Sequence, residues 1–521
     1  MRRGAGMKHG TGRPHMDWGR IARPSILALG LAGAALSAHP QVAQAVQGPT
    51  LAQEAPTAAL AYAAEMRDRA LIRTLLGEGA DVNAAQVDGM TALHWAVYHD
   101  QLDIAGLLVR SGADANAQNR YGVPPLSTAS TNGNAAIVRL LLNAGADPNE
   151  YLEGGETVLM IAARTGNLGA VEALLAKGAD ASARERREQT ALMWAAAEGH
   201  VQVVKALIAA GADVDAKLRS GFTPLFFAVR EGHIDVALAL LEADVDVNEA
   251  LRLQRNRGTS PLLMAVRNGH FELAIALIGV GADPNEQLSG FAPLHTMSWV
   301  RKPDASDLGN PAPIGSGNLT SLEFVRAIVA LGADVNLRLN EGAPRQPNSA
   351  TRLGSGGATP FLLAADRADA ALMRLLIELG ADPFMPNLKG TTALMAAAGL
   401  GTTAPEEEAG TLLEVLEVTR LMLELGADVN TVNDEDDTAM HGAAYGMFPA
   451  VVELLADNGA DPHIWKRENH RGWSPLFIAE GYRYGLPRPS RATIQVITRL
   501  MVAAGIPTEG PRPPLIDIYA R

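Results

Sequence analysis

Twelve histidines, no cysteine and a handful of carboxylate runs set the chemistry open to this 521-residue chain. Without cysteine there is no disulfide, thiol nucleophile, thiolate zinc site or lipid-modified N-terminal cysteine. His200, His233 and His270 recur at spacings of 33 and 37 residues, as metal ligands on a repeated element would. Stacked helical units sit about 10 Å apart, whereas zinc holds its ligands at about 2 Å, so one such column cannot close a site. These three histidines read as polar caps in the turn before a helix. His94, His295 and His441 occupy a different repeated slot, where the ring is expected to hydrogen-bond neighbouring backbone. Residues 406–408 (Glu-Glu-Glu) and 434–437 (Asp-Glu-Asp-Asp) are carboxylate clusters. The second lacks the alternation and the glycine of a calcium loop, and reads as a solvated finger or a weak cation site. His463 and His470 flank a segment that also holds Trp465, Lys466 and Glu468. No Walker loop, G-x-S-x-G elbow or H-E-x-x-H helix is present, and nothing in the sequence requires catalysis or a cofactor.

The elements that position these residues follow from self-similarity. Gly-Ala-Asp occurs at Gly79, Gly112, Gly145, Gly178, Gly211, Gly281, Gly332, Gly380, Gly426 and Gly459; Asp244 fills the slot once and Gly505 ends the series. Successive spacings are 33, 33, 33, 33, 33, 37, 51, 48, 46, 33 and 46 residues, which makes twelve units. About twelve residues after most anchors stands a second string, as in Thr91-Ala92-Leu93-His94, Thr223-Pro224-Leu225-Phe226 and Ser474-Pro475-Leu476. Thr or Ser there caps a helix, and Pro in its first turn forfeits no needed donor. A second helix buries positions such as Ile104, Leu107 and Leu108 and stops at the glycine, which enters the left-handed region without a Cβ penalty. Asp244 tolerates that region better than most residues.

This 33-residue unit, with its T-P-L-H-like opening and G-A-D-x-N close, resembles the ankyrin repeat over residues 57–505. The resemblance implies an all-α solenoid of helix-turn-helix pairs with finger loops, in which fingers and first helices line a concave binding face and no single globular core exists. Residues 57–260 form the regular part, with the first unit as N-terminal cap. Residues 261–505 carry most of the inserted loops, and residues 506–521, rich in proline, make a tail. Residues 248–257 and 337–357 lengthen fingers. Residues 301–320, 399–411 and 483–492 fall between the two helices of a unit.

At the N-terminus, six basic residues from Arg2 to Arg23 precede the apolar run 26–38, and Ala43-Gln44-Ala45 supplies a small-x-small cleavage pattern. These are the parts of a signal peptide spanning residues 1–45, followed by a linker at 46–56 and implying a periplasmic or secreted protein. Thirteen apolar residues are too few for a spanning helix.

The chain is acidic overall, with a net charge of −13, which disfavours nucleic acid as a partner. Yet alignment on the Thr slot places Arg120, Arg164, Arg186, Arg187, Arg219, Arg230, Arg257 and Arg267 at finger tips and outward first-helix positions. Tyr98 and Trp299 occupy the same first-helix column and offer flat anchors. Glu153, Glu198 and Glu231 interleave, so the stripe is mixed. It reads either as ordinary solvated surface or as a site for a protein partner with an acidic or extended segment, guanidinium being suited to carboxylate. The sequence does not set the oligomeric state. The rival reading is an exported hydrolase or toxin-like effector with catalytic groups in the inserted loops.

Overall fold

The computed structural model describes residues 58–253, 257–303, 311–344, 353–405, 409–483 and 488–512. The signal-peptide and linker segments expected over residues 1–56, and the tail from residue 513, lie outside the described residues.

Twelve helix pairs follow one another. The first helices are Ala59–Glu65, Ala92–Tyr98, Pro125–Asn132, Val158–Thr165, Ala191–Ala197, Pro224–Glu231, Pro261–Arg267, Pro293–Arg301, Pro360–Asp366, Ala393–Ala397, Ala439–Tyr445 and Pro475–Ala479. The second helices are Arg69–Gly77, Leu102–Arg110, Ala135–Asn143, Leu168–Ala176, Val201–Ala209, Ile234–Leu241, Phe271–Gly279, Ser321–Ala330, Ala370–Glu378, Leu412–Glu424, Pro449–Asp457 and Arg491–Ala503. Each first helix packs on the next first helix, and second helices pack on one another from repeat 2 onward. The fold is an all-α repeat solenoid. Among the described residues it is interrupted by a finger hairpin in repeat 7, where β1 (Leu251–Leu253) pairs antiparallel with β2 (Arg257–Thr259), and by a single antiparallel bridge between Tyr151 and Thr157 in the repeat 4 finger. A one-turn helix, Pro462–Trp465, occupies the last finger.

Local chemistry explains the pattern. Thr91, Thr190, Thr223, Ser260, Thr359 and Ser474 each accept a hydrogen bond from the third residue of the helix they start, which satisfies an otherwise orphaned N–H. Second helices end where the backbone turns left-handed, at φ 92° for Gly112 and 63° for Asp244. Glu188 takes the same conformation, at φ 68°, in a finger slot that Gly89, Gly122, Gly155 and Gly221 fill elsewhere.

The asparagine of G-A-D-x-N has a role that periodicity does not reveal. Asn116 Nδ2 donates to Gly145 O in the next repeat (2.9 Å), and its Oδ1 accepts from Asp147 N (2.9 Å). Asn83, Asn149, Asn248, Asn285, Asn336 and Asn430 repeat this pair of bonds. Ser182, Asp215, Phe384 and His463 stand in the slot without an amide to make them, so the ladder is interrupted there.

Core residues are small and numerous. Ala96, Ala129, Ala163 and Ala196 are fully buried, one per successive first helix, which lets helices approach closely.

Candidate functional site

The first-helix column expected to face a partner holds Tyr98, Arg164, Arg230, Arg267 and Trp299, each seven residues past its N-cap position. Tyr98 is 46% exposed and meets Trp95 edge-on at 5.6 Å. Arg164 lies over the Trp194 ring at 5.3 Å. Arg230 covers Phe227 at 5.2 Å and Phe222 at 5.8 Å, while its Nε donates to Glu231 at 2.8 Å. Arg267 is exposed and close packing around it lowers its pKa, which leaves it cationic at neutral pH. Trp299 is half-buried and packs edge-on against Phe291 at 4.8 Å, so only part of that ring remains for an anchor.

At the finger tips, Arg120 donates to the Tyr121 hydroxyl at 2.7 Å. Arg219, 88% exposed, pairs with Glu188 at 2.9 Å. Arg186 and Arg187 are exposed. The Arg257 side chain lies outside the described residues. The arginines therefore divide. Arg219 and Arg230 have carboxylate partners within the array, Arg120 and Arg164 have aromatic ones, and Arg186, Arg187 and Arg267 have neither among the described residues.

The histidines serve the scaffold. In the Thr slot, His94 Nδ1 accepts from Thr91 N (3.2 Å) and its Nε2 faces Val123 O (3.1 Å) in the next finger. His441 does the same with Thr438 N (3.1 Å) and Arg467 O (3.1 Å). These contacts call for the neutral tautomer protonated at Nε2, an assignment from the hydrogen-bond network. Burial lowers both pKa values, that of His441 to about 3. His295 faces Leu337 O and Ala358 O through Nε2, but Ala292 replaces the capping Thr and His295 Nδ1 has no partner among the described residues. Burial takes His295 to about 4.

The other histidine column caps differently from its expected role. His200, His233 and His270 make no side-chain bond to the helix they begin. Their Nε2 atoms instead face Arg164 O (2.9 Å), Ala197 O (3.0 Å) and Arg230 O (3.0 Å), which caps the first helix of the preceding repeat.

Two arrangements in the inserted half have the makings of reactive chemistry. Ser316 Oγ lies 2.9 Å from His270 Nδ1, a nucleophile and base distance. However, Ser316 N also donates to that nitrogen (3.1 Å), and Glu272 engages the N–H groups of Asn318 and Leu319. The N–H groups of Ser316, Asn318 and Leu319 are thus taken up by side chains of repeat 7, and the contacts fasten the loop to that repeat. The second arrangement is a cluster of Glu435, Asp437 and His470, whose ligand atoms all lie within 4.8 Å of one another. Sequence proximity pairs His470 with His463, but His463 is exposed on the one-turn helix and outside the cluster. Burial pushes the Asp437 carboxyl up to about 6.

No helix among the described residues is long and apolar enough to cross a membrane.

Comparison with known proteins agrees with this architecture. Family models of the ankyrin repeat match residues 31–119, 60–151, 107–185 and 159–251 in three-copy form, and residues 257–287 as a single repeat. An ankyrin-repeat protein of Acanthamoeba polyphaga mimivirus is 33% identical over 109 residues, which cover 19% of this chain and 18% of the viral protein. The chain thus spans under a fifth of that relative's length. The matches end at residue 287, yet the helix pairs continue to Ala503 with the same caps and the same asparagine ladder. Taken together, the matched segments and the twelve stacked helix pairs show that the chain belongs to the ankyrin-repeat family.

Proposed function

We propose that this protein is a non-enzymatic scaffold that binds a partner protein through its finger and first-helix face, across repeats 2 to 6 and the adjoining first helix of repeat 7. The partner presents an acidic or extended segment. The observation that carries the reading is the division among the arginines. Arg186, Arg187 and Arg267 lack acidic partners among the described residues, whereas Arg219 and Arg230 of the same face are paired with Glu188 and Glu231. Guanidinium groups without carboxylate partners suit a carboxylate-bearing chain, and the Tyr98 and Trp194 rings belong to first helices of the same repeats 2 to 6. Membership of the ankyrin-repeat family supports protein binding in general; the face and the partner's chemistry rest on these residues.

The test is binding of acidic, neutral and basic peptides of equal length to wild type and to a variant with Arg186, Arg187 and Arg267 changed to Ser. A control variant carries Lys205→Ser, on a second helix. Selective binding of the acidic peptide that weakens with salt, is lost in the triple variant and is kept in the control supports the proposal. Equal binding by wild type and triple variant overturns the assigned face.

Export is part of the same proposal, resting on the N-terminal residues alone. Sequencing the mature protein from periplasm or medium should find a first residue near Val46.

A further inference from the structure

The geometry points to a divalent transition-metal site made by Glu435, Asp437 and His470, which joins the fingers of repeats 11 and 12. Three potential ligands of two chemical types converge from two repeats, 35 residues apart in sequence. Main-chain pairing of His470 N with Glu435 O (2.9 Å) holds the two fingers in register, so the imidazole of one repeat reaches the carboxylates of the other.

The carboxylate at the centre is the unusual member. Asp437 is only 5% exposed, and Asn469 Nδ2, at 2.8 Å, is the one side-chain donor it meets among the described residues. A buried carboxylate with a single neutral donor is poorly compensated, and a cation is the compensation its neighbours can arrange. His470 is exposed and Glu435 half-buried, so both can rotate inward. A tetrahedral site with bonds of about 2.0–2.1 Å needs ligand atoms roughly 3.3 Å apart, which modest rotations from the present spacing supply. Two carboxylates with an imidazole select zinc or manganese over magnesium or calcium, which take oxygen ligands. Three protein ligands leave a coordination position for water or for a carboxylate from outside the chain.

Lys389 is the competitor. Its ammonium pairs with Glu435, and Arg467 lies 3.8 Å from Asp436. Lys389 already supplies part of the counter-charge, so removing it should help the metal.

The experiment is calorimetric titration of tag-free full-length chain, stripped with chelator, with zinc, magnesium and calcium chloride in turn. One zinc per chain is expected, with no saturable magnesium or calcium binding. His470→Gln and Glu435→Gln should each weaken zinc by at least about tenfold, Lys389→Met should tighten it, and His463→Gln should leave it unchanged. Circular dichroism confirms that each variant folds. Absence of saturable zinc binding at millimolar metal overturns the inference. So does a site whose affinity is indifferent to His470→Gln, or one that His463→Gln removes. The inference stands apart from the arginine face, which lies in repeats 2 to 7 and is tested without metal.

Discussion

Repeats 1 to 6 and repeats 8 to 12 share a helix pattern but are fastened differently. In the first region every side-chain tie between repeats reaches the adjacent unit, as with Asn83 to Gly112, Arg69 to Asp103 and His200 to Arg164. In the second, inserted residues reach further. Lys302 leaves the end of the repeat 8 first helix and pairs with Glu414 in repeat 10, passing over repeat 9. Arg483, buried after the last first helix, donates to Thr402 O in repeat 10 at 3.0 Å, passing over repeat 11. Arg301 joins adjacent repeats, but through a buried, two-pronged pair with Asp369 of repeat 9, at 2.7 and 3.2 Å, and it also meets Ser321. A solenoid with only nearest-neighbour contacts has a stability that is approximately a sum of local terms. Contacts that skip a repeat couple those terms, so the inserted half should unfold as one block and the regular half more gradually.

The largest test of that contrast is Asp369→Ala. Asp369 is 2% exposed and Arg301 14%, and Asp369 also caps its helix by accepting from Leu372 N. Removal strands a largely buried guanidinium and should cost about 3–5 kcal/mol. The exposed Arg69–Asp103 pair of the regular half should give no more than about 1 kcal/mol on Asp103→Ala. Urea unfolding measures both, and hydrogen exchange should show repeats 8 to 12 opening together in the first variant. Loss of protection confined to repeat 9 would remove the coupling argument.

Acid should separate the halves next. The folded-state pKa values of His295 and His441 lie below the unfolded value of 6.5, at about 4 and about 3. The unfolded chain therefore takes up the proton first. Stability is complete above pH 6.5 and falls as pH drops, by about 1.4 kcal/mol per pH unit for each histidine until its folded pKa is reached. At pH 5 each contributes a loss of about 2 kcal/mol. Both residues belong to the inserted half, so acid unfolding followed by hydrogen exchange should begin there, and His441→Gln should flatten the slope. An acid transition that starts in repeats 2 to 5 would reverse the order.

Two smaller changes repair the scaffold, one in each half. Ala292→Thr supplies the missing cap and gives His295 Nδ1 its hydroxyl partner, for a gain of about 1 kcal/mol. Ser182→Asn should restore one rung of the asparagine ladder between repeats 4 and 5, for a gain of about 0.5–1 kcal/mol. If stabilities sum locally in the regular half, Ser182→Asn raises protection only near its own repeats, whereas Ala292→Thr raises it across the block. Thermal melts with hydrogen exchange distinguish these outcomes.

Much of the array is legible without coordinates because each repeat fixes its own backbone. Thr or Ser at the N-cap, Pro in the first turn and Gly at the left-handed exit act over four or five residues, so Thr223, Pro224 and Gly211 announce their roles wherever they stand. Asp244 could be read as a left-handed residue for the same reason. That the His94 and His441 rings hydrogen-bond neighbouring backbone was also legible, but not that each meets a carbonyl of the next finger. What the histidines at 200, 233 and 270 cap was not legible, because their partner carbonyls lie 36 to 40 residues back.

The sequence by itself thus determined the helix pairs, their number, their caps and the order of stacking, since all of these arise from local backbone preferences repeated at fixed spacing. Only the tertiary structure decided which charges are buried and what meets across a skipped repeat. Arg301 and Asp369 are 68 residues apart, Lys302 and Glu414 are 112, and Arg483 and Thr402 are 81. Insertions of unequal length break the register that relates one repeat to the next, so no periodic alignment can pair these residues. Their meeting depends on how each loop folds back over the helices, and the same holds for the approach of His470 to Glu435 and Asp437.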